Sequence, residues 1–353
     1  MGRLNGLDGI RGALAVIVAL GHAFGHYTGW NSGLWPMTSP GFSVDVFFIL
    51  SGIVLYEVYH DKIKNSKLSF FNFVTIRTLR LYPMHLLGVI LVPLCLYISG
   101  GIFYPDWIGN VTVFNLVGDA LLMNYINVGF TLVSNQPSWS ISIEFFFGVW
   151  IAFLSCKIRI FPFLLVIFSL ILAFYYGLTP TVPHTRTDLF LLSNDIIRCV
   201  FCMSTGIIFH SLIKEHYLFL IKHINTLNII SLFGFTLICI TIYAIKLTPV
   251  TYFIIATISA LSISILANIK ITRLTFLDSS FFIMLGKRSF SIYMIHTPVL
   301  FLFLNFKNDN NSSNATLATA LILLTIFLSG YTVKYIEQPF MNIYHRNKNL
   351  AKK

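Results

Sequence analysis

The stretch Leu7–Gly29 is apolar except for Asp8, Arg11, His22 and His26. An arginine at a bilayer centre costs about 2.5–3.5 kcal/mol on insertion scales, so an ionisable group inside an apolar span marks a functional site. Arg11 and His22 are eleven positions apart, which on an α-helix places them on nearly one face, about 16 Å apart. That face offers a cation near one end and an imidazole that exchanges protons near neutral pH toward the other. His22 and His26 have i, i+4 metal-ligand spacing, but no third ligand is spaced with them, so no metal site is expected.

Other polar residues recur inside apolar surroundings. Asp45 lies in GFSVDVFFILSG, Glu144 in QPSWSISIEFFFG and His296 in SFSIYMIHTP. Arg77 and Arg80 in RTLRLYPMH are at i, i+3 and face the same way, a spacing suited to a forked grip on phosphate. Each has a plainer reading: the arginines as interfacial anchors, Asp45 as a helix-dipole partner, His296 as a satisfied core histidine, Glu337 as an interfacial acid.

The elements that carry these residues follow from composition. Of 353 residues 56% are hydrophobic and only 10% charged, with a mean hydropathy of +0.79. This excludes a pair of soluble domains and implies an all-α polytopic membrane protein. Apolar runs long enough to span a bilayer suggest about ten transmembrane helices: 7–28, 41–59, 82–99, 139–156, 160–177, 195–213, 226–245, 250–269, 281–305 and 316–336. The connection 100–138 suggests a short amphipathic helix around Leu116–Tyr125. The first run is too long and too polar for a cleaved signal peptide, so it is expected to be retained.

The net charge of +11 would suit a nucleic-acid partner, but the basic residues alternate between loops. With the N-terminus cytoplasmic, twenty of the 24 lysines and arginines fall on the inner side and three, Arg186, Lys246 and Lys307, on the outer, while Arg198 lies within a span. This asymmetry implies an N-in, C-in topology with no nucleic-acid partner and no separate soluble domain. The five cysteines lie in or beside apolar runs, and Cys199 and Cys202 read as small core residues. His22, Asp45, Glu144 and His296 then share an outer depth, while Arg11, Arg77, Arg80, His85 and Glu337 gather near the cytoplasmic boundary. Gly21, Gly25 and Gly29 form a ridge on which a second helix could pack against the His22 face.

Taken together, Arg11–x10–His22, GFSVDVFFILSG, Arg77-Thr-Leu-Arg80, Trp139-Ser140 with Glu144, SIYMIHTP and Glu337-Gln-Pro339 resemble, in order, the motifs of the acyltransferase-3 membrane acyltransferases, which O-acylate bacterial surface glycans. The resemblance covers 1–340 as one transmembrane domain and leaves 341–353 as a short basic cytoplasmic tail. It implies the stand-alone form, His22 as the catalytic base, and Arg11, Arg77 and Arg80 as the site for acyl-CoA. Asp45 and Glu144 would take part in catalysis, one of them orienting the imidazole in the manner of a triad. Trp139, Ser140, His296 and Glu337 would support the site.

The reaction so implied is transfer of an acetyl group from acetyl-CoA, a co-substrate rather than a tightly bound cofactor, to a sugar hydroxyl. The acceptor would be a polyprenyl-linked or surface glycan, such as lipopolysaccharide O-antigen, capsule or exopolysaccharide, at the bacterial inner membrane. Two alternatives use the same residues: a proton-coupled exporter, whose relay would also need intramembrane His and carboxylates, and an acyltransferase acting on a secondary metabolite.

Overall fold

A computed structural model of the chain describes residues 5–30, 37, 39–108, 111–123, 125–126, 134–175, 193–269 and 272–343. Arg186 and most of the basic tail expected at 341–353 lie outside the described residues. Among the described residues every regular element is helical: α1 (Asn5–Thr28), α2 (Phe42–Lys64), α3 (Phe70–Gly100), α4 (Val113–Ala120), α5 (Ser138–Ile143), α6 (Val149–Lys157), α7 (Phe161–Tyr175), α8 (Asn194–Glu215), α9 (Tyr217–Leu220), α10 (Ile224–Tyr243), α11 (Pro249–Asn268), α12 (Ser280–Leu302) and α13 (Asn311–Thr332). The protein is an all-α polytopic membrane protein.

Eight described helical stretches are long and apolar enough to cross a membrane, and Phe161–Tyr175 is a shorter apolar helix. The ninth expected span, 281–305, corresponds to α12, which carries Lys287, Arg288 and Pro298 and is not one of the eight. Three boundaries depart from expectation. Helix α3 begins at Phe70 rather than near residue 82, because its first turns carry the polar residues Asn72, Thr75, Arg77, Thr78 and Arg80, which hydropathy reads as loop. The C-terminal helical stretch continues to Ile343. The connecting helix is Val113–Ala120 rather than 116–125, started by the Thr112 side chain, which accepts from the Asn115 backbone N–H at 3.1 Å.

The chain forms two compact units. Unit 1 comprises Met1–Leu14, Met37–Phe70 and Phe146–Lys287. Here α8 is central, packed by α2, α7 and α11. Glycines let α2 and α8 meet backbone to backbone: a Cβ on Gly52 would sit 2.4 Å from the Met203 carbonyl oxygen, and one on Gly206 2.7 Å from that of Ile49. Asp45 pairs with Arg198 at the N-terminal ends of these helices, and Glu57 with His210 toward their C-terminal ends. The two helices therefore run parallel.

Unit 2 comprises Ala15–Pro36, Phe71–Phe145 and Arg288–Lys353. It holds the rest of α1, nearly all of α3, α4, α5, the greater part of α12, and α13. Two π-helical turns, wide turns that re-aim the side chains around them and that recur at functional sites, interrupt the α-helical pattern at Glu144–Gly148 and Val333–Glu337. Glu144 opens the first and Glu337 closes the second.

Candidate active site

The segment Phe290–His296 of α12 organises unit 2. Within two turns it presents a different group to each of five partners. Phe290 lies under the Arg80 guanidinium, 5.8 Å from ring centroid to Cζ. Ser291 Oγ donates to Glu337 Oε2 at 3.0 Å. Tyr293 shares a 2.9 Å hydrogen bond with Ser140 Oγ. The Met294 carbonyl accepts from Asn135 Nδ2 at 2.9 Å. His296 Nε2 lies 2.8 Å from His22 Nδ1.

The Met294 contact has a local cause. Pro298 stands four residues on, inside the helix, and its missing N–H leaves the Met294 carbonyl without the usual helical donor. Asn135 supplies one from outside the helix. Its amide fits against α3 only because residue 88 is glycine: a Cβ there would lie 2.3 Å from Asn135 Nδ2.

The hydrogen bonds also set the tautomers of the histidine pair. The carbonyl of Ile292 can only accept, so His296 Nδ1, 3.3 Å away, carries a hydrogen and donates to it. In neutral His296 the Nε2 atom is then the acceptor, and His22 Nδ1–H donates to it. Neutral His22 keeps its lone pair on Nε2. His296 is fully buried, whereas His22 is partly exposed, so the inner ring holds and the outer ring can meet a substrate. The expected carboxylate behind His22 gives way here to His296, because the latter already occupies Nδ1.

Arg77 and Arg80, on one face of α3, each hold a carboxylate from one of the π turns. Arg77 NH2 donates to Glu144 Oε1; Arg80 NH1 contacts Glu337 Oε1 at 2.6 Å. Glu337 is 5% exposed and, with Ser291 on its other oxygen, has both oxygens engaged. The arginines are therefore not the bare cationic fork that their spacing suggested. Arg77 Nε is buried without a hydrogen-bond partner, as are His85 Nδ1, Asn135 Oδ1 and Ser138 Oγ, groups that a bound substrate or ordered water would satisfy.

The separation into inner and outer sets also contracts. Ser291, which touches Glu337, and His296, which touches His22, are five residues apart on α12, a rise of about 7.5 Å. Because α3 begins at Phe70, its arginines lie two to three turns inside the helix rather than at its mouth. Glu144, expected at the outer depth, shares the level of Arg77.

In unit 1, Asp45 receives Arg198 Nε at 3.0 Å and Arg198 NH2 at 2.9 Å, while Arg198 NH1 donates to Asp195 Oδ1 at 2.9 Å. All three residues are 5% exposed or less. Sequence reasoning noticed Arg198 only as a charge within a span; one arginine between two carboxylates is the arrangement in which buried charge is tolerated. Arg11 lies in the same unbroken helix as His22, partly exposed. Trp139 is the second residue of α5, its ring centroid 6.2 Å from that of Tyr125.

Of the glycines in the expected ridge, Gly25 and Gly29 shape the end of α1. Gly29 takes a left-handed conformation, φ +93°, and its N–H caps the Gly25 carbonyl at 3.2 Å. The turn folds Trp30 back on to α1, where the indole occupies the space a Cβ on Gly25 would need, 2.5 Å from its ring atoms. At Gly25 a side chain of the same segment takes the space.

Comparison with known proteins adds a separate line. Residues 4–334 match the acyltransferase-3 family described as "Acyltransferase domain". A stretch of 97 residues is 36% identical to "Protein 2 in picA locus" of Rhizobium radiobacter, covering 27% of this chain and 48% of that protein. The chain thus spans about half the length of the curated relative it matches. No solved structure matches it significantly.

Proposed function

The chain belongs to the acyltransferase-3 family, and on that premise we propose that this multi-pass membrane acyltransferase moves an acetyl group from cytoplasmic acetyl-CoA to a hydroxyl of a cell-surface glycan at the bacterial inner membrane, with His22 as the base. The observation that carries the proposal is the His22–His296 pair, which leaves a lone pair on His22 Nε2. An imidazole with a basic ring nitrogen is the group such a transfer needs, and positioned proton transfer of this kind is worth about 10²–10⁴-fold.

Nε2 takes the hydroxyl proton as the acceptor oxygen attacks the thioester carbonyl carbon. When the tetrahedral centre collapses, the C–S bond breaks and the CoA thiolate receives that proton from His22. His296 fixes the ring throughout. Arg77 and Arg80 meet the phosphates of the donor, with Glu144 and Glu337 setting the guanidinium directions and Arg77 Nε still available to donate. Asp45, held by Arg198, keeps unit 1 in shape rather than touching a reacting atom. The N-in, C-in orientation places donor entry on the cytoplasmic side; a cysteine at residue 65 should label from inside and one at residue 309 from outside, and the reverse would overturn that orientation.

The test is a gene deletion followed by NMR of surface glycans for O-acetyl signals, complemented in parallel with the wild type and His22→Ala. Restoration by the wild type alone supports the proposal; unchanged glycan acetylation in the deletion strain overturns the acceptor class.

A further inference from the structure

From the way Trp30 is seated, we infer that its indole is the platform on which the acceptor sugar stacks; the inference rests on the glycan-acetylation reading above. Three features set Trp30 apart from an ordinary interfacial tryptophan, which would point toward lipid or headgroups. The left-handed turn at Gly29 reverses the chain directly before it. The missing side chain of Gly25 makes a recess in α1 that the ring fills. The recess lies one turn from His22, and the indole centroid stands 6.3 Å from the His22 ring and 5.8 Å from that of His26, edge to face in both cases.

The backbone is thus shaped to bring an aromatic ring back beside the base. Trp30 is 53% exposed. His26 is held in turn by Phe301, 5.3 Å away, and its carbonyl by Lys307 Nζ at 2.9 Å, so the support beneath the indole is itself braced.

The chemistry of the ligand follows from that of the ring. An indole has an electron-rich face, which attracts the polarised C–H bonds on the apolar side of a pyranose. A sugar lying on that face has its hydroxyls at its edge, and the neighbouring group is the imidazole of His22. Stacking also tolerates variation in the hydroxyl pattern, since it reads the ring rather than its substituents. The platform therefore holds a hexose or deoxyhexose ring while His22 selects the hydroxyl within reach.

Trp30→Leu keeps an apolar side chain for the Gly25 recess and removes the π face; Trp30→Tyr keeps a π face. The first measurement uses purified protein in detergent and no acyl transfer: saturation-transfer NMR with methyl α-glycosides of glucose, galactose and rhamnose. Saturation of one C–H face of at least one sugar is expected for the wild type and the Tyr variant, and its loss for Leu. The second measures transfer in membrane vesicles, where the Leu variant should raise the acceptor KM by about tenfold, the size of an aromatic contact, with the KM for acetyl-CoA unchanged. Sugar binding that survives in the Leu variant, or no binding of any of the three by the wild type, overturns the platform. So does a Leu variant that shifts donor and acceptor KM equally, which makes Trp30 a packing residue of the helix end. Sugar binding that depends on the ring in a protein that transfers no acetyl group would leave the platform standing and defeat the acetylation reading instead.

Discussion

His22 Nδ1 and His296 Nε2 lie 2.8 Å apart, and the second ring is in turn held by the Ile292 carbonyl. This chain of donors and acceptors runs one way, from His22 to His296 to the backbone, and leaves one basic nitrogen at its open end. A carboxylate in the place of His296 would add a negative charge behind the base. A neutral imidazole fixes the tautomer without that charge, which suits a buried position.

His296 should accordingly act on the chemical step rather than on binding. His296→Ala frees the His22 ring to turn and is expected to lower kcat by up to about 10²-fold, the scale of a misplacement near 1 Å, with both KM values close to wild type. His296→Gln, whose side-chain carbonyl can accept from His22 Nδ1, should recover part of the loss. Steady-state kinetics in membrane vesicles measures both; a Gln variant no better than Ala would reduce His296 to packing.

Asn135 and Pro298 should be coupled. Asn135→Ala leaves the buried Met294 carbonyl without a donor, at a cost of about 1–3 kcal/mol. In a Pro298→Ala background the helix supplies its own N–H to that carbonyl, so the same Asn135 substitution should cost clearly less. A double-mutant cycle by thermal unfolding in detergent reads the difference; strict additivity would show that Asn135 is needed for something else.

The buried Asp45–Arg198–Asp195 group should behave as a structural unit. Breaking it with Arg198→Ala strands two carboxylates that are each 1% exposed, and a loss of about 3–5 kcal/mol is expected. Arg198→Lys should not restore stability, because one ammonium cannot reproduce the planar fork that reaches Asp45 twice and Asp195 once. Wild-type thermal stability in the Lys variant would contradict this.

Arg77→Ala with Arg80→Ala should raise the KM for acetyl-CoA more than it lowers kcat. Glu337→Gln, which leaves Arg80 charged and Ser291 able to bond, should affect the donor KM far less. Donor kinetics unchanged in the double arginine variant would assign the two residues to holding the π turns alone.

Much of this was legible in the sequence, for physical reasons that also explain the remainder. Hydropathy reads single helices well, so each expected span falls on a helix. It fails where a helix is polar at one end, as at Phe70–Tyr82, and there it began the span near residue 82 and left Arg77 and Arg80 off the helix that carries them. The π turns that aim Glu144 and Glu337 depend on partners 67 and 257 positions away in the chain, and no local pattern announces them. Asn135 could have been suspected, since Pro298 inside a helix demands an outside donor for Met294, but its identity needed the fold. Gly25 and Gly29 showed the spacing of a helix-packing ridge; only the left-handed turn at Gly29 reveals that Trp30 lies against Gly25.

The most direct measurement of the central claim is acetyl transfer from labelled acetyl-CoA to surface glycan by membranes holding His22→Ala at wild-type protein level and thermal stability. A fall of about 10²–10⁴-fold is expected for the loss of a positioned base, and transfer at the wild-type rate would contradict the assignment of His22.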